Sequence, residues 1–410
     1  MSRKWKITFT LFTVAALNYG DRTAISSVFP LLRADLHLSD TVLAAIGSTF
    51  LWAYALGSPI GGYLADRFSR RRMVLLSLIA WSVITLLTGF VHSAGALLFS
   101  RALLGLAECI YLPASYALIA DHHGVETRGT AIGLQLAGLN VGLVGGSTLA
   151  GYIGEHVGWR MDFYVLGAAG LLLAVLTSLI LRDAPRPQSS ERGASGWRGV
   201  GVLLRIPGYI AIVISAMLIA VGTWIFLNWL PLYFHDRFHM SLAQAGLSSS
   251  SALQVSAILG AILGGILSDR VAAHWPRRRF LVVAICYLCA SPFLLGFESK
   301  STLSIITTAI LGYSFLMNLG AAGEAPIICE LASPQLRSTG LAILNTMNCL
   351  AGGIGIFGAS FLSRERGWDA AFATVAGTVA AAGLVVLIAY LFWVRQRHSA
   401  NLSPETVGVL

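Results

Sequence analysis

One apolar run follows another along this chain, each close to the ~20 residues that carry a helix across a bilayer. No water-soluble core could absorb them. We place twelve spans, at about 7–29, 43–65, 73–91, 97–119, 129–153, 162–181, 209–234, 244–267, 280–297, 302–328, 338–362 and 370–394. Hydrocarbon offers the backbone no hydrogen-bond partners, and runs this long and uniform are not barrel strands. The fold class is therefore an all-α membrane protein. Only 11% of the 410 residues are charged and the mean hydropathy is +0.74. A soluble domain carries about a quarter charged residues.

The net charge of +9 invites a nucleic-acid partner, but the placement of the charges excludes one. Lys and Arg sit in short connections between spans. With twelve spans both termini share a side, and that side carries 20 Lys and Arg against six on the other. The rich side is cytoplasmic, which predicts a multi-pass protein of the inner membrane with both termini inside. The first run is long and carries Asp21-Arg22, so it reads as a span rather than a cleavable signal peptide. Five cysteines lie in apolar runs without ligand spacing, and His122, His123, His235 and His239 read as solvated loop residues. No metal or other cofactor is expected.

The chain is also duplicated. Gly61-Gly62-Tyr63-Leu64-Ala65-Asp66-Arg67 with Arg70–Arg72 reads as a loop between spans two and three. It recurs 203 residues later as Gly264-Gly265-Ile266-Leu267-Ser268-Asp269-Arg270 with Arg277–Arg279. Asp121 and Arg128 after span four are matched by Glu330 and Arg337 after span ten, again seven apart. Two copies predict two pseudo-symmetric six-helix bundles, 1–181 and 207–398, joined by a Pro- and Ser-bearing cytoplasmic linker, 182–206, and followed by a tail, 399–410.

These motifs resemble the major facilitator superfamily. Within it the chain is similar to the anion:cation symporters, the hexonate, hexuronate and organic-anion carriers. The residues that carry this likeness are Asn18-Tyr19-Gly20-Asp21-Arg22, Tyr54, Arg101-x-x-Leu104-Gly105-x-x-Glu108 with Pro113-Ala114, Arg128-Gly129-x-Ala131, Gly158-Trp159-Arg160 and Trp229-Leu230-Pro231-x-Tyr233. Asp121-His122-His123 stands where that group carries Trp-Phe-Pro. Spinster-type carriers share a similar Asn-Tyr-x-Asp-Arg and Gly-x-x-Glu.

Charge inside a bilayer is expensive, at least ~2.5–3.5 kcal/mol per residue, and usually faces a cavity. Asp21, Arg22, Arg101 and Glu108 are such residues. Arg101 and Glu108 are seven apart, two turns or about 10.5 Å along one helix face. Asp21 and Arg22 point about 100° apart and can serve different partners. The arginines stay charged and can hold a carboxylate bidentately; the acids can take up and release protons. Structural ion pairs joining spans one and four are the alternative. The resemblance implies Arg22 and Tyr54 at the substrate and Asp21 and Glu108 in proton coupling. We add Arg101, Tyr19, Asn140, Trp229 and Asn345 as substrate-site candidates. Gln135, Asn228, Asn318 and Asn348 join Asn140 and Asn345 as possible hydroxyl readers, and Glu324 is a further proton site near a glycine- and proline-broken helix. The resemblance also implies a cytoplasmic gate, which we assign to Asp66, Arg67, Arg128, Asp269, Arg270 and Arg337. Arg70–Arg72 and Arg277–Arg279 read as plain topology determinants.

The expected function is secondary active transport by alternating access: proton-coupled symport of a small organic anion, a sugar acid or other carboxylate. A spinster-like lysolipid, amphiphile or sugar carrier is the alternative. No nucleophile–base set or phosphate loop survives inspection, so an enzyme is not expected, and the working unit is expected to be a monomer in the bilayer.

Overall fold

The structure, a computed structural model, describes residues 2–183, 197–274, 277–297, 301–333 and 336–401. Its helices are α1 (Arg3–Ser27), α2 (Phe29–Asp35), α3 (Asp40–Arg67), α4 (Arg70–Thr88), α5 (Ala94–Glu108), α6 (Tyr111–His122), α7 (Val125–Val157), α8 (Trp159–Ile180), α9 (Trp197–Leu203), α10 (Pro207–Phe238), α11 (Leu242–His274), α12 (Arg278–Ala290), α13 (Leu303–Ala321), α14 (Glu324–Leu331) and α15 (Arg337–Asn401). A 3-10 turn, Ser291–Gly296, extends α12. Among the described residues there is no strand.

Among the described residues, ten segments are long and apolar enough to cross a membrane. The sequence count of twelve differs at two places. α1 is 25 residues long but its polar residues keep it out of the ten. Thr339–Phe392 is one segment by hydrogen bonding, yet Gly367 breaks it with φ 82° and ψ 166°, a left-handed conformation that favours glycine. Spans four and ten are each broken. α5 stops at Glu108 and α6 begins at Tyr111; α13 stops at Ala321 and α14 begins at Glu324. The breaks fall beside the ionisable residues, as they do where transporter helices line a site.

Glycines set the helix spacing. Gly138, Gly142 and Gly146 on α7 recur every fourth residue and pack on Phe12, Ala16 and Gly20 of α1; a Cβ at Gly138 would come 2.6 Å from the Phe12 carbonyl oxygen. This small-residue ladder lets two backbones touch where lipid gives no hydrophobic push. Gly142→Val is expected to wedge α1 from α7 and to cut the yield of monodisperse protein in detergent; a wild-type chromatogram would count against the ladder. The duplicated motif follows the same logic. Gly61 lies against the Cys109 carbonyl oxygen, 2.8 Å from an added Cβ, and Gly264 against that of Leu319, while Gly62 and Gly265 face open space. The motif is thus not a loop, as the sequence suggests, but the end turns of α3 and of α11.

Packing divides the chain into two compact units. The first is Met1–Glu191 with Thr223–Gln254 and Asn345–Ala371; the second is Arg192–Gly222 with Val255–Leu344 and Phe372–Leu410. Within the first, Ser48 Oγ donates to the Gly353 carbonyl (2.7 Å) and Trp52 Nε1 to that of Leu350 (3.3 Å). Arg33 holds both Asp40 (2.6 Å) and Asp236 (3.3 Å). His123, expected in solvent, is buried. It shares hydrogen bonds with Thr8 Oγ1 (2.8 Å) and Thr127 Oγ1 (3.1 Å) and meets the Trp5 ring edge-on, tying the start of α1 to the α6–α7 turn. Within the second unit, Tyr209 donates to the Gly340 carbonyl (3.0 Å) and Ser215 to that of Ala382 (3.2 Å).

Candidate functional site

The four charges expected in hydrocarbon meet in the first unit. The glycine ladder sets α1 so that Asp21 and Arg22, one and two residues beyond Gly20, are both buried. Arg22 Nε donates to Glu108 Oε2 at 2.7 Å, and Glu108 is 0% exposed. The contact is single: Arg22 Nη2 and Glu108 Oε1 have no hydrogen-bond partner among the described residues. Asp21 accepts a hydrogen bond from Thr85 Oγ1 on α4, leaving its Oδ1 unpartnered. The pairing runs across helices, from span one to span four, as the ion-pair alternative allows.

Aromatic rings frame the arginines. The Arg22 guanidinium lies 4.4 Å from the Tyr19 ring, 5.1 Å from Phe50 and 4.7 Å from Tyr54; Arg101 lies 4.9 Å from Phe50. A ring face attracts a cation and holds it without neutralising it. Phe50 therefore stands between two guanidinium groups, a role nothing in the sequence signals. Arg101 is 2% exposed, has no ion pair within 4.0 Å among the described residues, and leaves Nε unpartnered. Asp21 and Arg101 interact electrostatically without touching as a pair.

A cavity of about 130 Å³ opens onto this cluster, bounded among others by Tyr19, Arg22, Ser26, Arg101, Trp224 and Asn228. Four substrate-site candidates stand beside it or away from it. Tyr54 backs Arg22 rather than lining the cavity. Trp229 is buried, donates Nε1 to the Ile356 carbonyl (3.1 Å), and packs on Phe29 and Trp368. Asn140 donates to the Leu136 carbonyl of its own helix (2.9 Å). Asn345 is exposed and is not among the cavity-lining residues. Periodicity gives the face of a helix but not the depth at which its neighbour closes over it.

Glu324 opens α14 in the second unit and accepts from Tyr287 Oη at 2.5 Å, with no ion pair among the described residues. A fourth buried acid went unseen in the sequence. Asp162 on α8 is 1% exposed with both carboxyl oxygens unpartnered, and it abuts Gly154. It sits at the edge of its apolar run, where a surface reading is natural. Near it, outside the spans, Asp35 accepts from Trp159 Nε1 (3.1 Å) and Arg160 (2.7 Å), and these donors hold its carboxyl below the usual range.

The gate candidates behave unequally. The side chain of Asp66 lies outside the described residues. Arg67 donates to Tyr63 Oη of its own helix (2.6 Å), and Arg270 is exposed. Arg128 caps α6 through the Ala120 (3.2 Å) and His123 (3.3 Å) carbonyls, and Arg337 caps α14 through that of Cys329 (2.9 Å). Asp269 pairs with Arg279 (2.9 Å). Two arginines read as plain topology determinants do more: Arg70 pairs with Asp121, and Arg279 pairs with Glu330. The four residues Arg70, Asp121, Ala120 and Arg128 map onto Arg279, Glu330, Cys329 and Arg337 at one constant offset, 209. The repeat thus extends from sequence into side-chain geometry.

A bundle of membrane-crossing helices with a small cavity edged by two buried arginines, one of them paired with a buried acid, defines a solute carrier. The chain belongs to the Major Facilitator Superfamily, whose family model matches residues 11–355 and 251–408. It is 28% identical over 385 residues to the probable galactarate/D-glucarate transporter GudP of Bacillus subtilis, covering 85% of this chain and 83% of that one. It is 26% identical over 375 residues to protein spinster homolog 1 of Xenopus tropicalis, covering 85% and 70%. In fold it matches a bacterial homologue of the human lysosomal transporter spinster, crystallised in an inward-facing and unoccupied conformation, with a TM-score of 0.75, 20% identity and 96% of each chain covered. The chain is a transporter and not an enzyme.

Proposed function

We propose that the protein is a proton-coupled symporter of a small organic anion, a sugar acid in the first instance, working by alternating access of two six-helix bundles in the inner membrane with both termini cytoplasmic. One observation carries the reading: Arg101 edges the cavity without a carboxylate partner, beside an Arg22 whose partner, Glu108, is itself an acid that can take a proton. Protonation of Glu108 releases Arg22, and two guanidinium groups then face the substrate carboxylate, each suited to fork-like bonding. Asp21, held by Thr85, is the second proton carrier. Relatives named for galactarate, D-glucarate and sulfoacetate support an acid as cargo. A spinster-like amphiphile fits less well, because a cavity of about 130 Å³ edged by two arginines suits a compact anion. In proteoliposomes an inwardly directed proton gradient is expected to drive D-glucarate uptake several-fold above the rate at equal pH. Uptake indifferent to the gradient would remove the coupling.

A further inference from the structure

Arg101 and Arg22 explain the capture of a carboxylate; they say nothing about the rest of the solute. Among the residues that bound the cavity is Asn228, on α10 beside Leu227, and it is 7% exposed. Among the described residues its Nδ2 has no hydrogen-bond partner. A buried amide left unpaired costs about 1–3 kcal/mol, so such a group persists where something else is served by it. Two other polar residues of the lining are engaged: Ser26 Oγ donates to the Thr23 carbonyl (2.9 Å), and Arg22 Nε holds Glu108.

A second residue makes the arrangement possible. Gly47 on α3 lies directly against the Asn228 amide. A Cβ there would fall 2.5 Å from Oδ1 and 3.3 Å from Nδ2. Any larger residue at 47 would push the amide out of place. Gly47 is itself part of the cavity wall, so this close approach is at the site.

We propose that Asn228, seated on Gly47, reads a hydroxyl group of the substrate and makes the site selective for hydroxylated acids over plain carboxylates of the same length and charge. This rests on the sugar-acid reading above and deepens it. A hydroxyl both donates and accepts, so it satisfies the amide whichever way its oxygen and nitrogen are turned. A plain methylene satisfies neither atom and leaves the amide buried and unpaired, which is how sites built for a hydroxyl reject analogues that lack it.

The test compares two six-carbon dicarboxylates, D-glucarate and adipate, which differ only in hydroxyl groups. Affinities are measured by calorimetry on the purified full-length protein. The wild type is expected to favour glucarate by about 100-fold or more. Asn228→Leu is expected to lower that ratio by about 10-fold, through weaker glucarate binding with adipate affinity kept. Gly47→Ala is expected to move the ratio the same way, and it decides the matter if Asn228→Leu does not fold. A ratio unchanged in the folded variants overturns the proposal. A wild type that binds both acids equally also overturns it and leaves the anion site standing. A wild type that binds neither removes the sugar-acid reading, and this inference with it.

Discussion

Arg101→Ala is expected to weaken carboxylate binding by about 100-fold, some 3 kcal/mol. The size follows from where Arg101 sits. It is buried at the cavity and has no acid to release before a substrate can be held. A fully desolvated charge–charge contact is worth far more than one at a wet surface, and truncating one side leaves the other buried and unpaired. Arg101→Lys is expected to recover only part of the loss, since a point charge cannot form the two parallel bonds of a guanidinium, and the Phe50 ring supports a flat cation better than an ammonium. The measurement is equilibrium binding to purified protein, paired with its thermal unfolding midpoint. Because Asp21 interacts with Arg101, the double variant Arg101→Ala/Asp21→Asn serves as a control for stranded charge. Binding within threefold of wild type in Arg101→Ala would move the anion site elsewhere.

The second large effect is at Glu108. Glu108→Gln keeps the shape and one hydrogen-bond acceptor for Arg22 but cannot exchange a proton. Proton-driven accumulation is expected to vanish while substrate exchange at equal pH persists, which separates coupling from binding. Glu108→Ala behaves differently. It removes the partner of a buried cation, and breaking such a pair costs about 3–5 kcal/mol, so this variant is expected to unfold at distinctly lower temperature. Accumulation against a gradient by Glu108→Gln would exclude Glu108 as a proton carrier.

The membrane fold and the duplication were legible because hydrocarbon imposes length and composition directly, and because a repeat announces itself. The cost of buried charge brought Asp21, Arg22, Arg101 and Glu108 forward as a set. Their pairing was not legible. Helical periodicity puts Arg101 and Glu108 on one face, yet Glu108 belongs to Arg22 of another helix, a fact fixed by the glycine ladder between α1 and α7 and by the break after Glu108. Phe50 and Gly47 carry no charge to betray them, and their parts depend on what lies across the gap. His123 looked like a loop residue because it ends the polar run Asp121-His122-His123 just before Gly124, and the tertiary fold buried it. Arg70 and Arg279 were hidden by company, each one of three arginines in a row.

The cross-helix pair has an electrical consequence. With both acids ionised, Asp21, Arg22, Arg101 and Glu108 sum to zero, so under the proposed alternating access the cluster drags no charge of its own through the field. A monocarboxylate accompanied by one proton then crosses as a neutral load, and the voltage across the bilayer neither hastens nor hinders it. A second proton, riding on Asp21, gives the loaded carrier one positive charge, and 100 mV then adds about 2.3 kcal/mol of inward pull. Under the proposed symport, the number of protons held by one buried cluster thus decides whether the cell's voltage or its acidity does the concentrating.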